Sequence, residues 1–187
     1  MKNRCSIGDN KNLLRASIKE NRSKLTNDFV ENQSLKICDT IYETTKEFNV
    51  FLCYLSFKNE VNLNSLIIKL LNDNKIVCVP VCIDDKNMVV SQIENIDFDF
   101  KKNRFGIIEP KKIKPPTANI QVCITPGVCF DKYKNRIGYG KGYYDRFFEK
   151  NTVYKIGVCY DFQLVNKLSA SSHDIKMDCI ITEKRVF

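Results

Sequence analysis

Two kinds of apolar spacing alternate along the chain. Leu13, Leu14 and Ile18 recur at helical intervals, with Lys11, Arg15 and Lys19 on other faces, and Asp9 or Asn10 stands where it can cap that helix. Thr26 opens a second, longer helix running to about Phe48, in which Phe29, Val30, Ile37, Cys38, Ile41 and Tyr42 form one apolar stripe. Asn49 to Leu55 is a nearly continuous apolar run, the pattern of a strand buried on both faces. Asn62 or Asn64 caps a helix through Leu71 that turns Leu63, Leu66, Ile67, Leu70 and Leu71 inward, and Lys75 to Val81 reads as the next strand. Such a β-α-β unit requires a right-handed crossover. Met88 to Ile93 is another strand, and residues 94 to 119 are polar and irregular, with Pro110, Pro115 and Pro116. Ile120 to Ile124 enters a Pro126-Gly127 break as a strand. Val153 to Tyr160 is a further strand and Phe162 to Leu168 a short helix. Strands alternating with helices give an α/β fold.

At 187 residues the pattern fits one domain spanning 1-187, with residues 1 to 8 as a loose leader. The composition, 43% hydrophobic and 28% charged, is that of a globular protein and excludes a disordered chain. A net charge of +8 points to anionic partners. The basic residues are scattered among Asn and Glu rather than gathered in one arm, which argues against nucleic acid. Nine cysteines are an odd number without any CxxC, and several lie inside apolar runs, so they read as buried free thiols in a reducing compartment. With a single histidine, His173, a His-rich metal site or a Ser-His-Asp triad is excluded. No apolar run approaches membrane-spanning length, and the start MKNRCSIGDNKN lacks a signal peptide's apolar segment. A soluble, cytoplasmic, monomeric protein is expected.

The candidate chemistry concentrates in Ile124 to Lys150. Gly138-Tyr139-Gly140-Lys141-Gly142 follows a strand and precedes Tyr143, Tyr144, Phe147 and Phe148 at helical spacing. Strand, glycine loop and helix start form an anion cradle: glycines turn the backbone sharply and expose N–H groups, and the helix start adds partial positive charge. Lys141 supplies a mobile cation for phosphate, and Asp145 a carboxylate for magnesium beside the same phosphates. The loop is not a P-loop, because one residue separates each glycine and no Ser or Thr follows Lys141. By spacing alone a plain turn is the commoner meaning.

The whole string PGVCFDKYKNRIGYGKGYYDR resembles the signature of the 5-formyltetrahydrofolate cyclo-ligase (5,10-methenyltetrahydrofolate synthetase) family, Pro-Gly-x-x-Phe-Asp running through Asn-Arg-x-Gly-Arg-Gly-x-Gly-Tyr-Tyr-Asp. Tyr139 stands where that pattern usually has Arg, which shifts anion binding onto Lys141 or Arg136. Lys11-Asn12-Leu13-Leu14-Arg15 resembles the family's amino-terminal segment, whose Lys and Arg approach the ATP phosphates; taken alone, Lys11 and Arg15 read as a solvated face. The segment from Leu55 through Glu60 is similar to one contributing to the folate site, so Leu55 and Glu60 become substrate contacts by resemblance, Glu60 by hydrogen-bonding the pterin. Asn103 to Pro110 resembles a loop bordering the active site; its Phe105 either stacks on a ligand ring or plugs the loop onto the core. The ending from His173 to Thr182 also matches, with Asp178 before the last strand as the second magnesium carboxylate beside Asp145.

The resemblance, from Lys11 to Thr182, implies a three-layer α/β/α sandwich with a mixed, largely parallel sheet. It implies ATP- and Mg2+-dependent conversion of 5-formyltetrahydrofolate, possessing one or several glutamates, to 5,10-methenyltetrahydrofolate. Phosphoryl transfer demands positioning and charge neutralisation more than a protein nucleophile. Lys141 is then the catalytic cation. Lys11, Arg15, Gly138, Gly140, Gly142, Tyr143 and Tyr144 hold ATP, and Leu55, Glu60, Phe105, Tyr139 and Tyr143 line the folate pocket. A non-catalytic nucleotide- or folate-binding relative is the alternative expectation, and a basic nucleic-acid binder a more distant one.

Overall fold

In the computed structural model the described residues are 7–96, 100–103, 106–169 and 174–187. In chain order the elements are α1 (Ile7–Ser23), α2 (Asn27–Thr44), β1 (Val50–Leu52), α3 (Asn64–Asn72), β2 (Ile76–Cys82), β3 (Met88–Ile93), β4 (Phe100–Lys102) and β5 (Ile108–Pro110). They continue with β6 (Val122–Pro126), β7 (Cys129–Asp131), β8 (Arg136–Ile137), α4 (Tyr143–Lys150), β9 (Tyr154–Val158), β10 (Leu164–Val165) and β11 (Cys179–Ile181).

The central sheet has the order β11-β9-β6-β1-β2-β3. Every neighbouring pair is parallel except β2 with β3, so the sheet is mixed and largely parallel, as expected. Period-two alternation divides its strands between two apolar layers. Phe51, Val77, Val79, Ile124 and Ile156 meet Ile37 and Ile41 of α2 and Leu66, Ile67 and Leu70 of α3 on one face. Leu52, Cys78 and Cys123 meet Phe148 of α4 on the other. A smaller cluster joins Ile18 of α1 to Val128, Cys129 and Ile137, packing the first helix beside the small β10-β7-β8 sheet.

Local chemistry explains most boundaries. Thr26 caps α2 by accepting the Phe29 N–H at 3.2 Å. The helix ends near Thr44 rather than Phe48; Thr40, Thr44 and Thr45 bond back to carbonyls four residues earlier, weakening its last turns. Asn62 accepts the Asn64 N–H at 2.9 Å ahead of α3. α1 runs from Ile7, so Asp9 and Asn10 lie within it rather than at its cap.

Two sequence expectations are corrected. The stretch 94 to 119 is not wholly irregular, since β4 and β5 form an antiparallel hairpin. Phe162 to Leu168 is not a helix. A 3-10 turn over Asp161–Gln163, capped at its start by the Gln163 side chain accepting the Tyr160 N–H at 3.1 Å, gives way at once to extended chain, and Leu164 and Val165 pair in parallel with Phe130 and Asp131. Eight described cysteines are free thiols, all buried except the partly exposed Cys82. Desolvation pushes the thiols of Cys78, Cys123 and Cys129 up to about 12. None of the described helices is long and apolar enough to cross a membrane.

Candidate active site

A cavity of about 620 Å³ opens past the carboxyl ends of β1, β2 and β6, where ligands bind in open α/β sheets. The turn between β8 and α4 forms one wall. Gly140 (φ +96°) and Gly142 (φ +67°) take left-handed backbone conformations that L side chains avoid. At Gly138 a Cβ would lie 2.7 Å from an Arg136 guanidinium nitrogen, so any side chain there would have to displace that group. The following helix is anchored to the β2–β3 turn: Tyr143 Oη donates to the Asp84 carbonyl at 2.5 Å, and Arg146 Nε to that of Lys86 at 2.7 Å. Lys141 extends from the loop, half exposed, with its Nζ 3.4 Å from Asp85.

Cations converge on this wall from two directions. Arg15 of α1 donates to the Gly138 carbonyl at 2.9 Å, which aligns the helix with the loop. Lys11 lines the cavity and pairs with Asp174 at 2.6 Å. Arg136 is nearly buried, donates to Asp145 at 2.9 Å, and lies over the Tyr144 ring at 5.6 Å. Its Nε is a buried donor without a hydrogen-bond partner, the kind of atom a bound anion satisfies.

The opposite wall comes from the segment after β1. Leu55, Phe57 and Glu60 line the cavity there with Tyr54. Glu60 is 7% exposed and accepts the Phe57 N–H at 2.9 Å and the Tyr139 hydroxyl. Desolvation raises its pKa above the ordinary carboxylate value, opposed first by the charge of Arg22 and then by those two hydrogen bonds. Ile107, Ile108 and Glu109 of the hairpin approach from above, with Glu109 accepting a hydrogen bond from Asn103 at 3.1 Å.

Lys11, Arg15, Leu55, Glu60, Gly138, Tyr139, Gly140, Lys141, Gly142, Tyr143, Tyr144 and Asp145 are thus brought into one cavity. Phe105 and His173 lie outside the described residues. Asp178 needs correction. It sits before the amino end of β11, away from the cavity, where it accepts the Lys155 N–H at 2.8 Å and pairs with Lys155 Nζ at 2.7 Å. A parallel strand's amino end cannot supply a ligand to a site at its neighbours' carboxyl ends, so Asp178 is not brought together with Asp145. The acidic residue from this part of the chain that does line the cavity is Asp174. Sequence reasoning also passed over Arg22 and Glu109, and mentioned Arg136 only as a substitute for the absent loop Arg. Arg22 lay hidden among the surface cations of α1, since nothing in the helical pattern marks it as buried.

The geometry defines an α/β enzyme-like architecture with a glycine-loop anion cradle and a carboxylate-bearing pocket in one cavity. Residues 7–183 match the sequence profile of the 5-formyltetrahydrofolate cyclo-ligase family. The chain belongs to that enzyme family. It is 29% identical to a probable 5-formyltetrahydrofolate cyclo-ligase of Schizosaccharomyces pombe, over 94% of this chain and 96% of that one. It is 33% identical to the 5-formyltetrahydrofolate cyclo-ligase of Escherichia coli K12, over 72% and 78%. The NMR structure of Aquifex aeolicus 5,10-methenyltetrahydrofolate synthetase superposes with a TM-score of 0.80 at 30% identity, over 94% of this chain and 91% of that one. A 5,10-methenyltetrahydrofolate synthetase from Mycoplasma pneumoniae gives 0.74 at 28% identity, over 93% and 99%.

Proposed function

We propose that this cavity binds ATP and 5-formyltetrahydrofolate side by side and converts them to ADP, phosphate and 5,10-methenyltetrahydrofolate. The observation that carries this reading is the continuity of the cavity. The glycine loop with Lys11, Arg15, Lys141 and Arg136 faces the segment bearing Leu55 and Glu60 across a single 620 Å³ space. A cationic end suits the triphosphate, and an apolar end that also holds the buried carboxylates Glu60 and Glu109 suits a flat heterocycle with N–H donors.

The N5 formyl oxygen attacks the γ-phosphorus and ADP leaves, giving an iminium phosphate. N10 then bonds to the formyl carbon, loses its proton and expels phosphate. In this scheme the backbone N–H groups of Gly140 and Gly142 bind the phosphates, Lys141 and Arg136 neutralise charge on the transferring phosphoryl oxygens, and Lys11 and Arg15 hold the chain of phosphates from α1. Leu55 and Tyr143 pack the folate, Tyr139 covers Glu60, and Glu60 accepts from the ring.

The donor set at the loop fits magnesium, which takes one or two carboxylates with substrate phosphates and waters. Of the four described carboxylates lining the cavity, Asp145 and Asp174 are the ones that would hold it. Bound with ATP, the ion supplies neutralisation of the β- and γ-phosphate oxygens. The buried free thiols suit a reducing, cytoplasmic setting.

The test is the absorbance of methenyltetrahydrofolate on mixing protein with 5-formyltetrahydrofolate, magnesium and ATP, with each omitted in turn. A rise that needs all three supports the reading. A flat trace from folded protein that still binds ATP refutes turnover and favours a binding-only relative.

A further inference from the structure

Glu60 is held more firmly than an ordinary pocket carboxylate, and the hold comes from outside the cavity. Arg22, in the last turn of α1, is 4% exposed and is not among the lining residues. Its Nη1 lies 3.7 Å from Glu60 Oε1, and its Nη2 lies 2.6 Å from the Tyr139 hydroxyl. A guanidinium can only donate, so the tyrosine oxygen accepts from Arg22 and its single hydrogen must go to Glu60. Burial raises the Tyr139 hydroxyl far above its ordinary value, which keeps that hydrogen in place. The order Arg22 to Tyr139 to Glu60 therefore has one possible direction. The other carboxylate oxygen is fixed by the Phe57 N–H at 2.9 Å. Asn59 ties the same loop to the end of α1, donating to the Arg22 and Leu25 carbonyls at 3.0 and 3.2 Å.

We propose that Arg22 is a positioning residue for substrate recognition: through Tyr139 it holds the Glu60 carboxylate, in one orientation and ionised, for a ligand edge presenting N–H donors. This rests on the folate reading above and adds to it a residue that never touches the ligand.

The other groups facing Glu60 do not substitute for Arg22. Lys19 of α1 lies over the Tyr139 ring at 5.1 Å, and desolvation, together with Arg15, Arg22 and Lys58, lowers its affinity for a proton. Tyr54 beside β1, Tyr144 of α4 and Tyr160 after β9 are neutral hydroxyls, each pushed up by burial; Tyr160 bonds to the Glu60 backbone carbonyl rather than the carboxylate. Arg22 is thus the principal charge opposing the desolvation of Glu60. Because desolvation raises the protonation midpoint of Glu60, folate affinity is present at high pH and is lost as pH falls through that midpoint. Without Arg22 the midpoint rises, and affinity is lost earlier on the way down.

The experiment is direct binding of 5-formyltetrahydrofolate, without ATP, from pH 5 to 9, for wild type, Arg22→Lys, Arg22→Leu, Tyr139→Phe and Glu60→Gln. ATP binding and thermal unfolding are followed in parallel. Arg22→Leu is expected to move the pH at which affinity falls upward by about one unit or more, the size an opposite charge at this range exerts. Arg22→Lys should recover part of the shift, Tyr139→Phe should give a smaller one, and Glu60→Gln should bind weakly with no break. ATP affinity should stay within about twofold in the Arg22 variants. If Arg22→Leu does not fold, Arg22→Lys and Tyr139→Phe decide the matter, since either must move the break. An unmoved break in the folded variants, or a break surviving in Glu60→Gln, overturns the proposal while leaving the folate reading intact. Absence of folate binding by wild type at every pH overturns both.

Discussion

Replacing Asp145 by Asn separates its ion pair with Arg136 from the metal-binding role proposed above. Asp145 accepts from Arg136 Nη2 at 2.9 Å, with side-chain exposures of 30% and 5% for the acid and the base. Among the described residues Arg136 has only the Pro126 carbonyl, at 3.4 Å, as another acceptor, and its Nε has none. Neutralising the acid leaves a buried guanidinium without its counter-ion. Breaking a fully buried pair destabilises by about 3–5 kcal/mol. The partial exposure of Asp145, and the amide oxygen that Asn keeps, reduce this to about 1–2 kcal/mol. For a chain of this length each kcal/mol moves Tm by about 2–4 °C, so a fall of about 2–8 °C is expected with no ligand present. The catalytic role is read separately, as the magnesium concentration giving half-maximal turnover, which should rise by about tenfold or more. Asp178→Asn is the control: it removes the partner of Lys155 at the other end of the sheet and should leave magnesium dependence unchanged. An unaltered Tm in Asp145→Asn would refute the stability argument. A magnesium requirement raised equally by Asp178→Asn would refute the placement of the metal.

Other outcomes follow from the same geometry. Lys141→Ala should lower kcat by about tenfold to a hundredfold with the unfolding curve unchanged, because the side chain is half exposed and supports no core packing; wild-type turnover would remove it from the mechanism. Gly142→Ala should destabilise by about 1–2 kcal/mol in urea unfolding, since φ is +67° there and the new Cβ would stand 2.7 Å from Arg146 Nη1. Cys82, partly exposed and lining the cavity, should be the described thiol that reacts with a disulfide reagent in the native state. ATP or folate should slow that reaction, and Cys82→Ser should abolish the ligand-protected fraction.

The sheet and its helices were legible because their signals are local. Thr26 caps α2 as its side chain dictates, Met88–Ile93 is a strand with the bounds its pattern gives, and of the inward positions Leu63, Leu66, Ile67 and Leu70 are buried and Leu71 partly so. The hairpin and the small sheet were not, since their strands have two or three residues, too few to show a period. The site divided in the same way. A contiguous glycine string locates its own wall of the cavity, but which carboxylate near the chain's end reaches it depends on direction along a strand. Asp174 and Asp178 differ by four positions and stand at opposite ends of the problem: one lines the cavity and the other pairs with Lys155. Arg22 was invisible for a related reason. Its hydrogen-bond partner Tyr139 lies 117 residues away.

The ion pair between Lys11 and Asp174 spans 163 residues of sequence. During synthesis, therefore, the first helix emerges long before its partner exists. Until the segment beyond β10 has been made, the cationic end of the cavity has Lys11 without its carboxylate, and the parallel sheet still lacks β11. The cavity is therefore completed only after all of its other lining residues have been made.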